Sequence, residues 1–371
     1  MKKSLIAIAA LAAVGAASAQ SSVTLFGIVD VGVAHISNKD GARVTGLSNS
    51  GGGAGNRIGF RGVEDLGGGL KAGFWLEAGI NTDSGAGASN PSTDNLTAST
   101  VSGSLQFGRR STVSLLGNFG EARLGRDFTP AYLSETAFDP FGNNGIGAAA
   151  WYQVNLIGQS RLRASNQISY ILPSLGGLYG QVSYAIGENA SNVGVTKDDG
   201  RTVGARIGYA NGPFDIALAG NKLTQTLVGG QSNDKTHANI AGSFDFGVAK
   251  LFALYDLQKA DNAPINGETK VTGGLIGVTA PVGPGLIKAA YSVVETKVTG
   301  AGLKPESKKF AIGYDYNFSK RTRLYATLAR SSNSEGSNLS VGAVGVGGLT
   351  VPAAVANKAS NGYEIGLRHT F

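Results

Sequence analysis

The sequence predicts an all-β protein, a transmembrane antiparallel up-and-down β-barrel of about 16 strands. Three observations lead to this fold class. Apolar and polar residues alternate with a period of two, short and long connections alternate along the chain, and no stretch after the N-terminus approaches the ~20 consecutive apolar residues of a spanning helix. A barrel strand needs only ~9–11 residues to cross a membrane, so a mean hydropathy of +0.01 is compatible with a membrane protein.

The N-terminus is predicted to be a secretory signal. Lys2 and Lys3 precede a short run of Ala, Ile and Leu, and the small residues at 17–19 match a cleavage site. The apolar run is too short to serve as a membrane anchor. No linker divides the rest of the chain. We therefore expect two parts, a signal peptide at residues 1–19 and one barrel domain at residues 20–371.

The strands are recognised by alternation. In residues 70–77, Leu70, Ala72, Phe74 and Leu76 share one face, and the other face carries a polar set. Residues 22–33 and 309–316 show the same period, and helical spacing fits none of these segments. The predicted strands start near residues 22, 56, 69, 101, 120, 163, 177, 202, 213, 236, 247, 271, 285, 307, 321 and 361.

The connections between strands have two sizes. Short ones such as 118–120, 211–213 and 281–285 alternate with long ones rich in Gly, Ser, Asn and Asp, such as 128–159 and 332–360. Brief periplasmic turns and longer outer loops give this alternation in a membrane barrel. A barrel of 16–18 strands leaves an aqueous channel, whereas an 8-stranded barrel is filled by its own side chains.

Composition excludes several classes of function. The chain has no Cys and three scattered histidines, His35, His237 and His369, so we expect no metal centre and no cofactor. No nucleophile motif on a strand-to-helix turn stands out, which argues against an outer-membrane enzyme. The formal net charge is +7, but the basic residues form no tract, and an exported protein is a poor candidate for nucleic-acid binding.

Four segments, residues 22–30, 57–72, 119–126 and 366–371, resemble the general trimeric porins of Gram-negative bacteria of the β-proteobacterial and neisserial type. The resemblance covers the whole mature chain. It implies a 16-stranded barrel that lies in the outer membrane and contacts the membrane lipid. It also implies a homotrimer and a third loop that folds into the lumen as a constriction. It also implies passive diffusion of small hydrophilic solutes and inorganic ions through a water-filled pore.

Strand parity places several arginines on the inner face. An Arg on the lipid face costs ~2–4 kcal/mol at mid-bilayer, whereas in a wet lumen it stays solvated. The face of Arg109 is left undecided, near a rim. The residues expected at the pore lining are Arg57, Arg61, Arg110, Arg123, Arg161 and Arg163, facing the carboxylates Asp127, Glu135 and Asp139 on the inserted loop.

The excess of arginines predicts a weak to moderate anion preference, because charged walls set ion preference in pores. Residues 139–144 are less acidic than the corresponding segment of many general porins, which argues against strong cation selectivity. The alternative for any one arginine is a salt bridge that braces a loop or the trimer.

The last strand ends in Phe371, on the same face as Tyr363, Ile365, Leu367 and His369. This ending resembles the recognition signal for the barrel-assembly machinery, and it is also typical of an aromatic girdle. Other functions stay open, namely a solute-specific channel with Trp75 and Trp151 as candidate contacts, or a surface adhesin or structural barrel.

Overall fold

The computed structural model describes residues 22–48, 52–88, 95–96, 104–227, 230–262, 267–342 and 351–371, and the predicted signal peptide lies outside them. The described residues form one antiparallel sheet of 17 strands. The strands are β1 Ser22–Asn38, β2 Arg43–Ser48, β3 Arg57–Gly67, β4 Leu70–Gly79, β5 Arg110–Gly117, β6 Gly120–Phe128, β7 Arg163–Ile171, β8 Leu178–Ala185, β9 Thr202–Asn211, β10 Phe214–Leu223, β11 Lys235–Asp245, β12 Lys250–Asn262, β13 Gly267–Val282, β14 Gly285–Val298, β15 Glu306–Asn317, β16 Thr322–Ser334 and β17 Ser360–Thr370.

The sheet closes on itself through β1. Its second half pairs with β17, from Ile28 with Thr370 to Asn38 with Ser360. Its other edge is shared, because β3 pairs with the first half of β1 and β2 with the second half. Since β2 and β3 occupy one position in the wall, the described strands fill 16 positions, and the predicted 16-stranded barrel is confirmed.

Two boundaries differ from the prediction. The short strand β2 was expected to be loop, because its six residues follow a turn and are too few to give a clear alternation. The strand expected near residue 101 begins at Arg110; residue 101 itself lies outside the described residues, and residues 104–109 form no regular element. Both errors lie at loop ends of the barrel, where side chains leave the two-sided environment that produces the alternation.

The outer face of the barrel is apolar. Val182, Leu218 and Ile276 are 55%, 57% and 71% exposed, and each alternates with a buried inner neighbour. A water-soluble barrel would reverse this arrangement, so the alternation is that of a wall facing lipid. Within the described ranges, no helix combines the length and the apolar composition that crossing a bilayer requires.

The connection between β6 and β7 folds into the barrel, as expected for a constriction loop. This inserted loop, residues 129–162, begins with helix α1, Pro130–Ala137, and continues through three short 3-10 turns. Its Phe138, Phe141 and Trp151 are almost fully buried and belong to one apolar cluster with wall residues such as Val271 and Leu275. Apolar packing therefore fixes the loop against one side of the wall.

Candidate functional site

Polar contacts add to the packing of the inserted loop. Lys309 of β15 is buried and donates from Nζ to the carbonyl oxygen of Ala148 at 2.7 Å. Ser292 Oγ accepts from the backbone amide of Ala150 at 3.0 Å, and Asn239 Nδ2 of β11 donates to the carbonyl oxygen of Ala131 at 2.9 Å. Because these contacts come from strands around half of the barrel, the loop is held on the β9–β17 side, and an open space remains against β3–β7.

That open space is a cavity of about 300 Å³ between the loop and the opposite wall. Three guanidinium groups line the wall side, from Arg57, Arg109 and Arg163. The loop side presents neutral groups. It is formed by Tyr132, Thr136, Gly142, Asn143, Asn144 and Tyr152.

One carboxylate holds two of the three arginines in place. Glu77 Oε1 accepts from Arg109 Nε at 2.6 Å and lies 3.4 Å from Arg57 Nη1, while Trp75 Nε1 donates to Glu77 Oε2 at 3.2 Å. Arg163 is oriented differently. Its Nε donates to the Arg109 carbonyl oxygen at 2.7 Å and its guanidinium lies 4.2 Å from the Phe128 ring centroid. Within the described part of the chain Arg163 has no ion-pair partner, so the cavity carries three positive charges against one negative charge.

A second group of charges lies along the same wall, closer to the short turns. The guanidinium of Arg123 contacts Glu121 Oε1 at 2.8 Å and Asp127 Oδ2 at 2.7 Å, and Arg110 Nε is 3.4 Å from the same Asp127 oxygen. Arg61 stacks on Trp75, with its guanidinium 5.1 Å from the ring centroid. All of these side chains except Asp127 border a cavity of about 400 Å³. Its three cations face two carboxylates, which leaves a smaller positive excess.

The structure places the expected residues in three groups. Arg57 and Arg163 border the cavity against the loop. A second group lies on the wall closer to the short turns and consists of Arg61, Arg110, Arg123 and Asp127. Asp127 belongs to β6 rather than to the inserted loop. Arg161, Glu135 and Asp139 are buried and lie away from both groups.

Arg161 and Glu135 do not face the open lumen. Both are fully buried, and Arg161 Nη2 contacts Glu135 Oε1 at 2.5 Å, where the loop meets β11 and β12. The alternative of a bracing salt bridge therefore describes this pair. Arg161 precedes β7 and lies in a 3-10 turn, so strand parity could not be extended back to it.

Asp139 is also turned into the loop. Its carboxylate accepts from the backbone amides of Phe141 at 2.9 Å and Asn143 at 3.0 Å, which closes the turn after α1. Burial raises the pKa of Asp139 above its ordinary value, and the same cause raises the pKa of Glu135. The expected row of loop carboxylates opposite the arginines is thus replaced by a neutral loop surface.

Two residues that contribute to the cavity were not predicted from the sequence. Arg109 could not be assigned a face, because it lies one residue before β5, yet its guanidinium is central to the cavity. Glu77 was assigned only to the polar face of its strand. A signal was present, since Trp75 and Glu77 share the parity of the inner face of β4.

The C-terminal residue closes the barrel seam. Phe371 exchanges two backbone hydrogen bonds of 3.1 Å with Gly27 of β1, and its ring lies over the space where a larger residue at 27 would place a side chain. The pairing extends the β1–β17 ladder by one residue beyond Thr370. Phe371 is 40% exposed, as expected for an aromatic residue at the lipid interface.

The chain matches a family of known proteins over most of its length. The family model described as Gram-negative porin matches residues 5–336. This chain belongs to that family. As a porin it is an outer-membrane β-barrel, which agrees with the apolar outer face. The family indicates a channel rather than an enzyme.

Two relatives span essentially the whole chain. Outer membrane porin protein 32 of Delftia acidovorans is 42% identical over 380 residues and covers 100% of both chains. Major outer membrane protein P.IB of Neisseria meningitidis serogroup B is 29% identical over 373 residues, which is 94% of this chain and 99% of the relative. The expected resemblance to β-proteobacterial and neisserial porins is confirmed.

Solved structures share the fold. The anion-selective porin from Comamonas acidovorans superimposes with a TM-score of 0.82 at 36% identity, covering 95% of this chain and 100% of that chain. OmpT of Vibrio cholerae superimposes with a TM-score of 0.65 at 15% identity, covering 95% of this chain and 98% of that chain. The second similarity concerns the fold alone.

Proposed function

We propose that this porin forms a water-filled channel for passive diffusion of small hydrophilic solutes and inorganic ions, with a preference for anions. The observation that carries the proposal is the cavity beside the inserted loop, where Arg57, Arg109 and Arg163 face a neutral loop surface and one carboxylate, Glu77. A field of one sign in a narrow, low-dielectric passage concentrates ions of the opposite sign. The solved porin that is named anion-selective supports the same preference.

The arginines are proposed to act as a solvated wall rather than as a binding trap. Arg57 and Arg109 share Glu77, which lowers the net charge that an anion meets, and Arg163 is held by a carbonyl oxygen and the Phe128 ring. An anion can exchange contacts among three guanidinium groups without dehydrating completely. Such multi-site contact favours entry and still permits exit.

The test replaces two cavity arginines by neutral residues. In planar bilayers under a salt gradient, Arg109→Gln combined with Arg163→Gln should lower the chloride-to-potassium permeability ratio about twofold or more, because the wall loses two of three cations. The matched control is Arg330→Gln, which removes one exposed cation from the outer face, where it contacts Asn361. An unchanged ratio in the double variant would contradict the role of this wall.

We further propose export, cleavage and assembly steps for the chain. Residues 1–19 are removed as a signal peptide, the barrel-assembly machinery reads the ending at Phe371, and three copies associate in the membrane. The apolar outer wall supports a position in lipid. The intact mass of the purified protein tests cleavage before Gln20, and channel insertion in conductance steps of three tests the trimer.

A further inference from the structure

Four buried charged or titratable side chains meet where the inserted loop contacts the wall. Glu135 comes from α1, Arg161 from the end of the loop, His237 from β11 and Asp256 from β12. All four are fully buried. We call them the loop–wall cluster, and they lie on the far side of the loop from the arginine cavity.

The contacts within the loop–wall cluster form a chain. Arg161 Nη2 contacts Glu135 Oε1 at 2.5 Å, Glu135 Oε2 lies 3.8 Å from His237 Nε2, and His237 Nε2 lies 2.6 Å from Asp256 Oδ2. Two members belong to the loop and two to the wall. The central contact between Glu135 and His237 therefore joins the loop to the barrel.

Neighbouring polar groups complete the surroundings. Trp151 Nε1 donates to Glu135 Oε1 at 2.8 Å, and Gln258 Nε2 donates to Asp256 Oδ1 at 3.3 Å. The Tyr152 ring lies with its centroid 5.1 Å from the Arg161 guanidinium. Glu135 Oε2 and His237 Nδ1 have no hydrogen-bond partner among the described residues. No further charged group is in ion-pair contact with the cluster in the described ranges.

The charges do not cancel without an additional proton. With both carboxylates ionised, Arg161 protonated and His237 neutral, the buried cluster has a net charge of −1. An uncompensated charge in a site closed to water is strongly unfavourable. One more proton makes the cluster neutral. Because Glu135, His237 and Asp256 lie in sequence at 3.8 Å and 2.6 Å, that proton belongs to the group rather than to one residue.

We propose that the loop–wall cluster is a proton-dependent fastening that sets the position of the constriction loop. While the shared proton is bound, the loop lies against β11 and β12 and the cavity has the width seen in the structure. Loss of the proton leaves a buried negative charge between α1 and the wall. The loop then separates from the wall part of the time and narrows the passage in front of Arg57 and Arg163.

A divalent metal ion is the competing occupant. One ligand atom each from Glu135, His237 and Asp256 lies within 4.8 Å of the others, which is close enough for a shared ion. A divalent ion together with Arg161 would leave the closed cluster with a net charge of +1, whereas a single proton leaves it neutral. Charge balance therefore favours the proton, and metal dependence becomes an outcome of the test.

The test compares variants that change the need for the proton. Asp256→Asn removes one negative charge, so that Glu135 and Arg161 balance without an added proton. His237→Asn removes the central base and keeps the −1 imbalance. The double variant, His237→Asn with Asp256→Asn, removes the base and restores the balance. The readout is the frequency of brief closures of single channels between pH 6 and pH 10.

The native channel should close more often as pH rises, because the shared proton is bound more tightly with the loop in place than with the loop detached. In the pH range where the detached cluster has lost the proton and the attached cluster still holds it, the detached population should grow about tenfold per pH unit, the linkage expected for one proton. The closure frequency of Asp256→Asn should change less than about twofold over the same pH range. In His237→Asn only the carboxyl groups can hold the proton, so closures should begin at a lower pH than in the native channel, and the double variant should resemble Asp256→Asn.

Three results would overturn the proposal: a native closure frequency independent of pH, an equal pH dependence in Asp256→Asn, or closures in the native channel that follow added chelator or zinc rather than pH. Asp256→Asn keeps the test informative if His237→Asn does not fold. The proposal rests on the proposed channel function, and the two fail differently. A protein without conductance would contradict the channel, whereas a conducting protein with pH-independent closures would contradict only the fastening.

Discussion

At the scale of single residues, the balance of charge in the cavity depends on Glu77. It is the one carboxylate that contacts the cavity arginines within the described ranges, and it reaches both Arg57 and Arg109. Trp75 donates to its second oxygen and fixes the carboxylate in this position. Glu77 therefore orients two arginine side chains and offsets one unit of their positive charge.

Glu77→Gln should increase the anion preference. The amide keeps an acceptor for Arg109 and removes the negative charge, so the net charge of the cavity becomes more positive by one unit. The chloride-to-potassium permeability ratio should rise by about twofold in reversal-potential measurements. The control is Glu306→Gln, which removes a carboxylate paired with Lys308 at 2.9 Å on the outer face and should leave the ratio unchanged. A lower ratio in Glu77→Gln would show that orienting the arginines matters more than offsetting them.

At the scale of elements, the inserted loop and strand β13 fit closely. Gly273 faces the lumen, and a Cβ at this position would lie 2.7 Å from Trp151 Cδ2, too near for any side chain. Its neighbour Gly274 faces outward, and a Cβ there would meet Val293 Cγ2 at an ordinary 3.5 Å. The two glycines thus differ in what a side chain would contact, although they are adjacent in one strand.

Gly273→Val should displace Trp151 and the loop behind it. We expect destabilisation of about 1–3 kcal/mol from overpacking, together with an altered single-channel conductance, because Trp151 and α1 form one packed unit with the wall. Gly274→Val is the matched control and should leave conductance unchanged. Denaturant titration of the protein in lipid vesicles measures the first effect and planar-bilayer recording the second. Equal effects of the two variants would contradict the described packing.

The elements also show how far the sequence leads. Strands such as β4 and β15 were predictable because lipid on one side and a wet lumen on the other impose a period of two. The inner position of Arg57 follows from the same rule. Arg161, Glu135 and Asp139 lie in the inserted loop, which has no such period. Glu135 pairs with Arg161 and reaches His237 of β11, and Asp139 closes a turn within the loop; spacing along the chain reveals neither arrangement.

At the scale of the whole molecule, closure of the barrel joins the two ends of the described chain. Strand β1 holds β17 along one edge and β2 and β3 along the other, so one strand completes the wall. Phe371 extends this seam by pairing with Gly27. Within the described residues, closure gives every wall strand except the short β2 a partner along both edges, which a membrane requires because unpaired backbone groups are costly in lipid.

Phe371→Ala should weaken the seam and slow assembly. The backbone pairing with Gly27 is retained, whereas the contact of the ring with β1 is lost, and we expect a loss of about 1–2 kcal/mol in stability. A smaller fraction of the protein should show the faster gel mobility of a folded barrel in unheated samples. Phe318→Ala, at a 62% exposed turn position, is the control. Unchanged assembly of Phe371→Ala would count against the proposed signal.

The proposed anion preference depends on three features: a 16-position barrel, a loop fixed to one side, and three arginines facing the remaining passage. The most direct test is the reversal potential of the purified native protein in a planar bilayer under a potassium chloride gradient. The proposed arrangement predicts a channel whose reversal potential lies toward the equilibrium potential of chloride. A reversal potential toward that of potassium, or the absence of any channel, would contradict it.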